Sequence, residues 1–236
     1  MSFAPAFYSQ LRSSGPIECI TPGTIQANKG YSPDLASQIA DGLFHPAIEV
    51  GLHLLNGDLY SAHFLARKMQ NDQYGMWLHG ILHRYEGDLT NAKAWYKGLD
   101  EKMIAECPVY QSGSNKRDLD PAHHEAFMLI DQVGLVGRGF GASKLRAQYG
   151  DKAIGFPESA PTEQEIEDER TRLQKDGKAE VDGKCWKELV WLVGKLVEMY
   201  GWDRNVEGTQ GYTESTEQQK EVSRKMVGGG EGIRKF

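Results

Sequence analysis

The stretch Trp77-Leu78-His79-Gly80-Ile81-Leu82-His83-Arg84-Tyr85-Glu86 places His79, His83 and Glu86 at i, i+4 and i+7. At about 100° per residue the three side chains share an arc of about 60° on one helix face. Two imidazoles one turn apart can share a metal ion, as in H-x3-H zinc sites. Glu86 then serves either as a third ligand or as a general base. Upstream, Glu49 and His53 repeat the i, i+4 spacing, and His63 follows. Four of the chain's seven histidines lie between Glu49 and Glu86. No glutamate directly follows His79, so a metalloprotease of the H-E-x-x-H type is disfavoured. Arg84 could hold an anionic group of a substrate. The same residues also have a plainer reading. The apolar side of this helix is Trp77, Leu78, Ile81, Leu82 and Tyr85, and the His79–His83–Glu86 face points away from it. It would then be a solvated face, with His83 and Glu86 an ordinary i, i+3 contact and Arg84 a surface charge.

These residues need helices to hold them, and the sequence supplies the start and stop signals. Ser32-Pro33 is an N-cap followed by proline at the first helical position, and it opens a helix to about Phe44. Pro46 opens a second through Leu55. Asn56-Gly57 ends it, and Asp58 begins a third to about Gln70. Tyr74 to Glu86 is a fourth, Gly87-Asp88 a tight break, and Leu89 to about Ile104 a fifth. Asp120-Pro121 opens a helix to about Gln132, and His123-His124 in its first turn could add a ligand but read better as an exposed turn. A charged helix is expected near 163–176 from the Thr162…Glu165 capping box. Residues 185–200 form the clearest amphipathic helix, with Trp186, Leu189, Val190, Val193, Leu196, Val197 and Tyr200 on one face and Gly201 as its stop. Trp95, Tyr96, Trp186 and Trp191 read as core and helix contacts.

Gly57-Asp58-Leu59-Tyr60-Ser61-Ala62-His63 is echoed thirty residues on by Gly87-Asp88-Leu89-Thr90-Asn91-Ala92-Lys93. The echo resembles the αα-hairpin grammar of tetratricopeptide and Sel1-like repeats over residues 46–100. Asp88 reads first as an N-cap and Asn91 as a turn residue. Strand signals are scarce. The expected class is all-α: an irregular bundle of packed αα-hairpins with long loops and a flexible C-terminal tail. Its expected parts are an irregular arm over 1–31, one helical domain over 32–201 (compact over 32–105) and a polar, partly disordered tail over 202–236.

The 236 residues carry 27 Lys+Arg against 33 Asp+Glu, a net charge of −6, which argues against a nucleic-acid-coating protein. No apolar run is long enough to span a bilayer and no secretory leader is recognisable. Cys19, Cys107 and Cys185 form no C-x-x-C pair, which fits reduced thiols in the cytoplasm, with the nucleus left open. Gly137-Arg138-Gly139-Phe140-Gly141-Ala142-Ser143-Lys144 matches no phosphate-loop spacing and reads as loop.

Read together, Trp77, His79, His83, Arg84, Glu86, Gly87, Asp88, Asn91 and Ala92 spell W-x-H-x3-H-R-x-E-G-D-x2-N-A. This resembles the signature of a small family of fungal and bacterial proteins with no assigned activity. The resemblance implies that His79, His83, Arg84, Glu86, Asp88 and Asn91 belong to one site, and it carries no mechanism. The expectation is a helical protein that binds one divalent ion (Zn, Fe, Cu or Mn) through His79, His83, His63 and His53. Glu86, Arg84 and Glu49 would supply catalytic groups for an enzyme acting on a small molecule, with an anionic one and a homo-oligomer left open. The alternative is a non-catalytic, tetratricopeptide-like interaction module.

Overall fold

The computed structural model describes residues 4–15, 32–111, 121–136, 164, 168, 171–173 and 177–204. Nine α-helices among them are α1 (Ala6–Ser13), α2 (Pro33–Gly42), α3 (Pro46–Leu55), α4 (Leu59–Ala66), α5 (Gln73–Tyr85), α6 (Leu89–Lys97), α7 (Glu101–Ala105), α8 (Pro121–Val136) and α9 (Gly177–Tyr200). A 3-10 turn, Pro108–Tyr110, follows α7. No strand occurs among the described residues, and the class is all-α.

The thirty-residue echo is a repeat of geometry. In each copy a glycine at positive φ (Gly57 at 71°, Gly87 at 75°) ends the first helix, a conformation that side chains with a Cβ rarely adopt. The next residue caps the second helix: Asp58 Oδ1 accepts from the Ser61 N–H (3.1 Å) and Asp88 Oδ1 from the Asn91 N–H (3.4 Å). Even the closing backbone bonds coincide, with Asp58 N–H to His53 C=O and Asp88 N–H to His83 C=O both at 2.9 Å. The caps fix the entry of α4 against α3 and of α6 against α5. Ala62 and Ala92, fully buried at matching positions, let those helices close on their partners. Gly80 does the same from α5: a Cβ there would lie 2.7 Å from the Tyr96 ring.

α8 packs on α6 as the next layer, and α9 lies across α3 and α8. Its buried apolar face is Val181, Cys185, Trp186, Leu189, Leu192, Val193 and Leu196. Of the stripe read from the sequence, Trp186, Leu189, Val193 and Leu196 are buried, Val190 and Val197 only half-buried, and Tyr200 exposed. The helix begins earlier than that stripe suggested, because its first turns are polar outward and bury just Gly177, Val181 and Asp182.

Other boundaries moved for local reasons. The fifth expected helix is two, since Asp100 starts a new cap by accepting from the Met103 N–H (3.0 Å). α4 stops at Ala66, where Lys68 and Met69 switch to i→i−3 bonds to Leu65 and Ala66. The arm expected to be irregular contains α1, which buries Leu11 and packs Tyr8 against Trp202 with ring centroids 4.7 Å apart. Trp202 also meets Phe44 at 5.4 Å, so the helical unit extends at least to this residue, which the sequence assigned to the tail. Positions 164, 168 and 171–173 are helical, within the expected charged helix. Cys19, Gly137 to Lys144 and residues 205–236 lie outside the described residues. Cys107 and Cys185 are buried and carry no disulfide. Among the described residues no helix is long and apolar enough to cross a membrane.

Candidate metal centre

Three imidazoles converge between α4 and α5. His63, His79 and His83 each offer a ring nitrogen within 4.8 Å of the others, and all three side chains are buried. His79 and His83 lie one turn apart and stack at 4.8 Å with a 15° tilt, while His63 meets both rings edge-on at 5.1 and 5.2 Å. His63 arrives because its place on α4, five residues past the Asp58 cap, faces the next hairpin. The matching residue Lys93 on α6 likewise reaches forward, its Nζ 2.8 Å from the Asp131 carboxylate on α8. The solvated-face reading of α5 is therefore overturned. α4 and α6 cover that face, leaving His79 and His83 only 3% exposed.

Glu86 joins two of the rings. Its Oε1 lies 3.3 Å from His63 Nδ1 and its Oε2 lies 3.1 Å from His83 Nδ1. Burial would raise the Glu86 carboxyl, but hydrogen bonds from both imidazoles overcome it and hold it well below the ordinary carboxylate range. With Nδ1–H turned to Glu86, each ring carries its lone pair on Nε2. On His83 that atom lies 3.1 Å from Asn91 Nδ2, which donates to it. His79 differs. Neither of its buried ring nitrogens has a hydrogen-bond partner among the described residues. Burial first, then the neighbouring His83 and His63, push its pKa down to about 2, so it stays neutral with a lone pair to give. Burial lowers His63 as well, against the pull of Glu86. The Trp95 ring lies on His79 at 4.2 Å and forms a wall of the cluster.

Several expected site residues are placed elsewhere. His53 stands outside the converging set: its Nδ1 lies 3.2 Å from Asp58 Oδ2 and its Nε2 3.8 Å from Glu49 Oε1. Glu49 is thereby a partner of His53 in the first hairpin. The reason is the repeat, in which His53 is the counterpart of His83 one layer back. Arg84 is neither a surface charge nor a substrate clamp. It is fully buried and pairs with Glu188 of α9, while its Nη1 donates to the Tyr96 hydroxyl (3.1 Å). Trp77 Nε1 donates to the same carboxylate at 2.7 Å. His123 Nε2 lies 3.1 Å from the Tyr96 carbonyl, away from the cluster's ligand set. The W-x-H-x3-H-R-x-E-G-D-x2-N-A residues thus divide. His79, His83, Glu86 and Asn91 gather on one side of α5. Trp77 and Arg84 gather on the other, and Asp88 is a cap.

Sequence reasoning missed two participants. Trp95 was read as core, although its i+4 spacing from Asn91 put both on one face of α6. Glu188 had no local signal at all.

The His53 group yields a pH-dependent prediction. Burial would lower this imidazole, but Asp58 and Glu49 overcome it and raise its pKa above the ordinary value. The native state then holds the proton more tightly than the unfolded chain. This contribution is complete below the unfolded value of about 6.5 and is lost as pH rises through the folded one. His53→Gln is expected to cost on the order of 1–2 kcal/mol below about pH 5.5 and much less above about pH 8.5. Urea midpoints at the two pH values check this, and an equal loss at both would show that His53 acts as a neutral packing group.

Comparison with protein-family models, with curated proteins and with solved structures finds no match to the chain, so its function rests on this geometry.

Proposed function

We propose that this chain is a metal-dependent enzyme whose ion is held by His63, His79 and His83. The observation that carries the reading is His79: a buried imidazole, kept neutral, with no hydrogen-bond partner among the described residues, beside two rings whose lone pairs are turned away from Glu86. A buried ring nitrogen without a partner costs about 1–3 kcal/mol, and a bound ion would offset that cost. Three histidines also leave an open position for water or substrate, the arrangement of catalytic rather than structural zinc sites. An all-imidazole set suits Zn, Cu, Fe or Ni better than Mg or Ca. Zinc–nitrogen bonds of about 2.0–2.1 Å require the three nitrogens to close to roughly 3.4 Å. Small ring rotations from within 4.8 Å would supply that, and the Asn91 amide would yield the His83 Nε2 lone pair to the ion.

In this reading Glu86 is a positioning residue. A carboxylate that accepts from ligand imidazoles fixes their tautomer and raises their basicity. The ion would activate a bound water or polarise a substrate oxygen. Untagged protein purified without chelator is expected to carry about one divalent ion per chain, and the His79→Ala/His83→Ala variant almost none. Elemental analysis of both measures it, with circular dichroism confirming that the variant stays helical. Metal content that is low and unchanged by the double substitution would refute the reading.

An interaction module is the second reading. The exposed pair Tyr60 and Phe64, one turn apart on α4, favours it. Against it, α9 of the same chain already covers the face formed by α3 and α8.

A further inference from the structure

α1 and α9 bound a groove of about 720 Å³, a size that suits a small-molecule ligand. Its floor is apolar, with Val190 and Trp191 half-buried beside Trp186. Tyr8 lines it from α1. Two cations complete the lining, Arg12 on α1 and Lys187 on α9, and both are exposed.

Neither cation makes an ion pair among the described residues. Their helices offer them none, since no acidic residue stands three or four positions from either, the spacing that pairs charges along a helix. Glu188, next to Lys187 in the chain, is turned inward to Arg84. With a net charge of −6, acidic partners outnumber basic ones, so two unpaired cations on one groove run against the charge balance. The groove is also firm. The Arg12 guanidinium lies over the Tyr8 ring, 5.6 Å from its centroid, and Tyr8 is itself packed on Trp202. Trp191 packs on Trp77 at 5.7 Å. Walls already held in place lose less freedom when a ligand binds.

We infer that this groove binds a compact organic carboxylate, its apolar body on Val190 and the two indoles and its charge drawn to Arg12 and Lys187. A guanidinium presents paired N–H donors that match the two oxygens of a carboxylate. A bare inorganic anion would leave the apolar floor unused, and a neutral hydrocarbon would leave both charges unused. The site does not depend on the metal centre, because His63, His79 and His83 do not line it.

The full chain, labelled with nitrogen-15, is titrated with 2-naphthoate, with neutral 2-naphthalenemethanol and with acetate. The indole N–H signals are read, those of Trp186 and Trp191 being assigned by Trp186→Phe and Trp191→Phe. Naphthoate is expected to shift both signals saturably, and the alcohol and acetate to bind about twentyfold more weakly. Arg12→Gln and Lys187→Gln, altered at exposed positions, are each expected to weaken naphthoate about fivefold, the loss of one partly screened charge pair. Arg67→Gln, an exposed cation at the end of α4, is expected to bind it as the native chain does. Equal binding of the alcohol would overturn the charged half of the inference, and equal binding of acetate the apolar half. Trp186 and Trp191 signals that ignore naphthoate would overturn the site. A like loss in Arg67→Gln would overturn it too, because overall charge and not this groove would then draw the anion.

Discussion

Arg84→Ala is expected to lower the unfolding free energy by about 3–5 kcal/mol, the largest stability change of any single substitution proposed for this chain. Arg84 and Glu188 are both fully buried. Two charges taken out of water lose several kcal/mol of hydration each, and only mutual attraction and further hydrogen bonds offset it. Here the carboxylate is well satisfied, although Arg84 Nε has no hydrogen-bond partner among the described residues. Glu188 accepts from Arg84, from Trp77 Nε1 and from the Tyr96 hydroxyl, so one carboxylate ties α5, α6 and α9 together. Removing the guanidinium leaves that carboxylate buried without its counter-charge. Guanidinium chloride midpoints measure the loss, and circular dichroism shows whether the helices survive it. A loss below about 1 kcal/mol would mean that the pair is not desolvated as described. Arg84→Met combined with Glu188→Leu is expected to recover part of the stability, because no lone charge remains. Recovery should stop short of the native value, because the Trp77 N–H and Tyr96 hydroxyl lose their acceptor, each costing about 1–3 kcal/mol.

Arg84 also shows where the sequence stops being legible. Helix starts are local, and Ser32, Pro33, Pro46, Asp58 and Asp88 announced them within a few residues. His79, His83 and Glu86 were legible for the same reason, since one helix fixes their mutual angle. His63 needed one further step, that adjoining hairpins bring their faces together, and the repeat supports it. His53 failed at that step: spacing showed that it shared a face with Glu49, but not that Asp58, its own hairpin's cap, would take its Nδ1. Arg84 could not be placed from spacing, because its partner is 104 residues away on α9. Burial of both sides of α5 was left open by the spacing. Histidines opposite an apolar stripe look like a solvated face until α4 and α6 are seen to cover them.

Glu86→Gln is expected to weaken metal affinity by roughly 10–100-fold while leaving the fold intact, which is the effect of losing an outer partner rather than a ligand. The site asks for two acceptors at this residue, because His63 and His83 both turn Nδ1 to it. Glutamine offers one oxygen and one amino group. One imidazole keeps its partner, while the other meets a donor and must flip its tautomer, which moves its lone pair off the atom that would face the ion. Isothermal titration with zinc measures the change, and Glu86→Asp separates charge from reach: it keeps both acceptors on a shorter stem. Cobalt absorption distinguishes the roles. If Glu86 orients the rings, the variant's cobalt at saturation keeps the native band positions, since the same three nitrogens still bind it. If Glu86 is itself a ligand, the bands shift with the lost oxygen and the orienting role is refuted. A general base would leave affinity nearly unchanged. That outcome is disfavoured by the carboxylate itself, since an oxygen pair held by two imidazoles is a weak proton acceptor.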